Sequence, residues 1–101
     1  RILEPEAFES LVQAYMKAKL KNLVECVLIK VDVQNSEYQK TDEQMSGYMR
    51  DSDYMGMLPD RNLYVLLTNT TREGAVIVQD RFEKNGYKTE YVEMMSVCHR
   101  E

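Results

Sequence analysis

Few residues in this chain have the type and spacing to do chemistry, and most of those read first as structural. Cys26 and Cys98 lie in apolar stretches without a Cys-x-x-Cys spacing, and His99 is the single histidine. That set is too small for a zinc site, so no metal is expected there. The two thiols read as reduced and intracellular rather than bridged. Asp51, Asp53 and Asp60 make an acidic cluster, but their spacing does not resemble a calcium loop. Arg50 and Asp53 by themselves read as a surface ion pair at a helix end. Arg81 reads as a solvated helix residue in reach of Glu73, Asp80 or Glu83. Asp32 ends an apolar run and reads as a strand-end residue.

The elements that must position these groups follow from hydrophobic periodicity. From Pro5 to about Lys21, the residues Phe8, Leu11, Val12, Tyr15, Met16 and Leu20 recur at helical spacing, with Pro5 suited to the first turn. The run Leu23 to Asp32 is β-branched and nearly continuously apolar, which predicts an inner strand buried on both faces. Residues from Ser36 to Met49 place Tyr38, Met45, Tyr48 and Met49 for a short helix that Gly47 weakens. Tyr54–Met57 and Leu63–Leu67 flank Pro59, Asp60 and Asn62, turn-forming residues that predict a hairpin. Thr70-Thr71-Arg72-Glu73 has the form of a capping box. The helix it opens turns Ala75, Val78 and Phe82 inward and stops at Asn85-Gly86. Tyr87 to Val97 reads as a last strand. The predicted order is α-β-α-β-β-α-β, a mixed sheet with helices packed on it, in the α/β or α+β class. That pattern alone reveals no function.

Composition sets outer limits. The chain has 101 residues, with 13 Lys and Arg against 17 Asp and Glu, for a net charge of −4. A broad basic face for nucleic acid or an anionic membrane is not expected from that balance. The length suits one domain over residues 1–101, and 44 % hydrophobic residues can build a core. No run approaches a membrane span, and the start lacks the order of a signal peptide. Because the first residue is Arg1, the expectation is a piece of a longer protein.

One stretch carries a resemblance. Arg50-Asp51-Ser52-Asp53 runs into Pro59-Asp60-Arg61-Asn62-Leu63 and then Leu66-Leu67-Thr68-Asn69-Thr70. In register and without a gap, this resembles the GGDEF family, the diguanylate cyclase domains. Arg50 and Asp53 fall on the family's Arg-x-x-Asp, and Pro59 to Leu63 on its Gly-Gly-Asp/Glu-Glu-Phe hairpin. Leu66 to Thr70 falls on Leu-Leu-Pro-Asn-Thr, and Gln79-Asp80-Arg81-Phe82 on the following helix. Matching covers about Arg50 to Gly86, and Val27 to Asp32 looks like the family's first strand.

The departures imply that catalysis is lost. Pro59 removes an N–H and fixes φ where the family has Gly. Arg61 puts a cation where a carboxylate helps hold Mg²⁺, and Asn62 replaces a Glu. Phosphoryl transfer depends on such positioning and metal-assisted charge stabilisation. The family's Asp-x-Asp retains Asp32 but has Gln34 at its second position. The interval from Asp32 to Arg50 is also too short for the family's substrate-binding region. The resemblance therefore implies no enzyme, no catalytic residues, no metal and no Mg²⁺.

What remains is the family's inhibitory site for cyclic di-GMP, which joins Arg-x-x-Asp to a second arginine that the register places at Arg81. An arginine fork can donate to guanine O6 and N7. A carboxylate can accept from N1–H and N2–H₂, the role the resemblance gives Asp53. Arg50 and Arg81 would also neutralise phosphates and stack on purines. The implied ligand is cyclic di-GMP, as an intercalated dimer, and no nucleic acid. A degenerate signature with an intact Arg-x-x-Asp is similar to the receptor branch of the Pel exopolysaccharide system. That implies a cytoplasmic domain of an inner-membrane protein, acting on a polysaccharide synthase complex or a neighbouring GAF-like domain. The competing expectation is a pseudo-enzyme that serves as a protein-interaction or dimerisation module without ligand.

Overall fold

The computed structural model describes residues 2–33 and 43–97. Its elements are β1 (Ile2–Leu3), α1 (Pro5–Leu20), β2 (Cys26–Asp32), a 3-10 turn (Ser46–Tyr48), β3 (Tyr54–Met57), β4 (Leu63–Thr68), α2 (Arg72–Lys84), β5 (Lys88–Val92) and α3 (Met94–Val97). The strands form one mixed sheet in the order β1-β3-β4-β2-β5. Among the described residues, only the β1–β3 pair is parallel.

The apolar run predicted as an inner strand is β2, between β4 and β5. Its side chains alternate between two cores. Cys26 and Leu28 join Phe8, Val12 and Met16 of α1 and Met94 of α3. Val27, Ile29 and Val31 join Ala75 and Phe82 of α2, with Met45. Burial on both faces explains why β2 lacks the apolar–polar alternation of a strand with one wet side.

Helix α1 lies over β3, and Gly56 admits a close approach. A Cβ there would meet the ring of the fully buried Phe8 at 2.4 Å. Both long helices end in the same hydrogen-bond pattern. Leu23 N–H donates to Ala18 O at 2.9 Å with Asn22 at φ 60°, and Tyr87 N–H donates to Phe82 O at 3.0 Å with Gly86 at φ 92°. This is the Schellman closure, which favours Gly and tolerates Asn at the left-handed position.

Several expectations need correction. The sheet has five strands, because Ile2–Leu3 pairs with β3; two residues are too few to carry a periodic signal. The final strand ends at Val92. There the Glu93 carbonyl accepts from Ser96 N–H at 2.9 Å and from its hydroxyl at 2.7 Å, closing a helical turn. The cap of α2 is Thr71, whose Oγ1 accepts from Gly74 N–H at 3.2 Å; the box predicted from Thr70 does not form. Leu20 is 65 % exposed rather than on the buried face of α1. Of the helix predicted over Ser36–Met49, residues 43–45 are helical and lead into the 3-10 turn. The part at residues 36–42, with Tyr38, lies outside the described residues, as do Gln34, Cys98 and His99. Cys26 is a buried free thiol. No helix among the described residues is long and apolar enough to cross a membrane.

Candidate functional site

The Arg50–Asp53 segment is a turn that closes twice. Asp53 N–H donates to Arg50 O at 3.0 Å, and Arg50 N–H donates back to Asp53 Oδ2 at 2.9 Å. Asp-Ser-Asp suits such a turn because short acidic side chains accept from nearby backbone N–H groups. The ladder between β3 and β4 begins one residue later, at Tyr54 opposite Leu66. Asp53 extends it with its side chain: Oδ1 accepts from Thr68 N–H at 3.1 Å.

Asp53 is therefore an interior residue. Its side chain is 1 % exposed, and Arg50 joins it side-on, with Nη2 3.1 Å from Oδ1 and Nε 3.4 Å from Oδ2. Each oxygen accepts two hydrogen bonds. Those four hydrogen bonds offset the cost of taking the carboxylate out of water. The resemblance implies that Asp53 accepts from a guanine edge, whereas this geometry has it holding Arg50 and the end of β4.

The Arg50 guanidinium is half-exposed. Its Nη2 also donates to Thr68 O, and to Thr70 Oγ1 at 2.8 Å. The Thr70 hydroxyl donates in turn to Thr68 O at 2.7 Å. Asn69, at φ 50°, bends the chain between β4 and α2 so that Thr70 faces back toward Arg50. Asn is among the few residues that take this conformation readily.

Arg81 lies on α2, and its Nη1 donates to Tyr48 O at 3.4 Å. It makes no ion pair among the described residues, so the expected pairing with Glu73, Asp80 or Glu83 is not formed. The Tyr48 ring packs edge-on against Phe82, with centroids 5.2 Å apart, which fixes the 3-10 turn beside the helix. Arg50, Asp53 and Arg81 consequently line one cleft of about 370 Å³. Thr71 and Gly74, in the first turn of α2, border it, and Ile77 and Val78 form an apolar wall. Two guanidinium groups and a helix N-terminus give the cleft the character of an anion site with room for a flat apolar group.

A second cleft, of about 540 Å³, lies at the opposite end of β2 and is lined by Lys30, Asp32, Arg61, Asn62, Lys88 and Glu90. The resemblance would put GTP chemistry near this end. In the hairpin, Asp60 Oδ1 accepts from Asn62 N–H at 3.0 Å and Oδ2 accepts from the Tyr64 hydroxyl at 2.5 Å. Burial alone would raise the Asp60 pKa, but the hydrogen bonds from Tyr64 and Asn62 outweigh it and hold it below its ordinary value. Burial, and then the Asp60 contact, push the Tyr64 pKa up. Arg61 stands in the turn at φ 70°. Among the described residues, no three His, Cys, Asp or Glu side chains are grouped to hold a metal ion.

The participation of Thr68 and Thr70 around Arg50 was missed from the sequence, which spent Thr70 on the helix cap. Compared with protein-family models, curated proteins and solved structures, the chain matches none.

Proposed function

We propose that this chain is a non-catalytic receptor domain for cyclic di-GMP, bound at the Arg50–Arg81 cleft. The observation that carries the reading is that these two arginines, distant in sequence, line one cleft with guanidinium nitrogens uncommitted among the described residues. Cyclic di-GMP is a dianion with two purines, and each arginine can neutralise a phosphate or stack on a ring. An intercalated dimer of the ligand would engage both. Asp53 contributes by fixing Arg50. The hairpin supports a loss of cyclase activity, because the Asp60 carboxylate is committed to Tyr64 and Asn62.

The degenerate signature resembles that of PelD, the cyclic di-GMP receptor of the Pel exopolysaccharide system. The proposal therefore extends to control of exopolysaccharide synthesis from the cytoplasmic side of the inner membrane, through a synthase complex or a GAF-like neighbour. Titration calorimetry with cyclic di-GMP tests the binding step. Wild type should bind at micromolar concentration or tighter, and Arg50→Ala and Arg81→Ala should each weaken binding about tenfold or more, the worth of a charge-assisted hydrogen bond. No heat with wild type would sink the receptor reading.

A second reading, a protein-interaction module without ligand, is favoured by Val76 and Ile77, which are 50 % and 60 % exposed on α2. It requires Arg50→Ala to leave signalling intact while Val76→Asp with Ile77→Asp abolishes it.

A further inference from the structure

We infer that Thr70 is a positioning residue for Arg50, and that it leaves Nη1 as the nitrogen which meets an anionic oxygen of the ligand. This rests on the cleft being a ligand site, as proposed above. The inference starts from hydrogen-bond polarity. A guanidinium donates and never accepts, so toward Arg50 the Thr70 oxygen must be the acceptor. Its proton is then directed to Thr68 O, 2.7 Å away. Thr68 O also accepts from Arg50 Nη2, so the three groups form a closed ring in which each contact sets the direction of the next.

The side-on edge of the guanidinium is taken by Asp53, through Nε and Nη2. Thr68 O and Thr70 Oγ1 take what Nη2 has left. Nη1 has no partner among the described residues. An end-on fork to guanine O6 and N7 needs a donor from both terminal nitrogens, and Nη2 has none to spare. A phosphate oxygen needs only one. The held arginine thus offers a single-atom contact to an anion together with its flat face. Asp53 alone would leave the far side of Nη2 unanchored; Thr68 O and Thr70 Oγ1 together close that side, and Thr70 is the side chain among them. Holding a long side chain in its bound rotamer before the ligand arrives removes an ordering cost from binding.

The test compares Thr70→Val, which keeps the shape and loses the hydroxyl, with Thr70→Ser, which keeps it. Thr70→Ala is the fallback should the valine variant not fold. Two quantities are read on the 101-residue chain: solvent exchange of the Arg50 Nε–H by ¹⁵N NMR, and binding of cyclic di-GMP by calorimetry. In Thr70→Val the exchange should quicken and the affinity fall, each about tenfold, as for the loss of a hydrogen bond to a charged group. Thr70→Ser should stay within about twofold of wild type, being the variant that retains the bond. Wild-type exchange in the valine or alanine variant overturns the inference, as does a serine variant that behaves like valine. Quickened exchange with no wild-type binding supports the positioning role and overturns the receptor function. Wild-type affinity in Thr70→Val overturns the inference and leaves the receptor function standing.

Discussion

Arg50 and Asp53 are joined through backbone and side chain at once: Asp53 Oδ2 accepts from Arg50 N–H at 2.9 Å while Oδ1 lies 3.1 Å from Nη2. The two partners are unequally buried, with side-chain exposures of 49 % for Arg50 and 1 % for Asp53. Removing one is therefore not equivalent to removing the other.

Asp53→Ala strips the acceptor from Thr68 N–H and Arg50 N–H together, and should destabilise the fold by about 2–3 kcal/mol. Arg50→Ala leaves the carboxylate its two backbone donors and admits water, so about 1 kcal/mol is expected. Urea unfolding should report both as shifts in midpoint at constant slope. Equal losses, or a larger loss for Arg50→Ala, would contradict the burial argument.

Gly56 and Phe8 form a second unequal pair. Gly56→Ala must push the Phe8 ring aside and should cost about 1–3 kcal/mol, as overpacking does. In a Phe8→Leu background the same change should cost measurably less. A double-mutant cycle gives this coupling directly, and additive effects would show that α1 does not rest on β3 at this point.

The hairpin supplies a pH dependence with a definite sign. The Asp60 pKa is lower folded than its ordinary 3.8, so its contribution is present above that value and is lost as pH falls through the folded pKa. The Tyr64 pKa is higher folded than its ordinary 10.0, so its contribution is present below that value and is lost as pH rises past it. Urea midpoints measured across pH 2–6 should fall on acidification in wild type and flatten in both Asp60→Asn and Tyr64→Phe. An unchanged slope in Tyr64→Phe would remove the hydroxyl as the cause.

Much of the scaffold was legible because its signals are local. The apolar run of β2, the Pro59–Asn62 turn, the Phe8–Val12–Met16 stripe and the Asn85–Gly86 stop each answer to a periodicity or a turn preference. The site was legible only in part. Arg50, Asp53 and Arg81 do line one cleft, but no sequence pattern says which way Asp53 turns. That depends on Thr68 N–H projecting beyond the last β3 pair, a fact about two strands in register. The choice of Thr71 over Thr70 as the cap was equally hidden, since only Thr70 has a Glu three residues on. It is settled by Arg50, which draws the Thr70 hydroxyl away from the helix.

The two clefts sit at opposite ends of β2, a strand of 7 residues, which puts them about 20 Å apart at some 3.3 Å per residue. Between them lies a strand packed on both faces. None of the hydrogen bonds that hold Arg50 comes from the Pro59–Asn62 hairpin. A substitution in that hairpin should therefore leave the contacts of Arg50 in place.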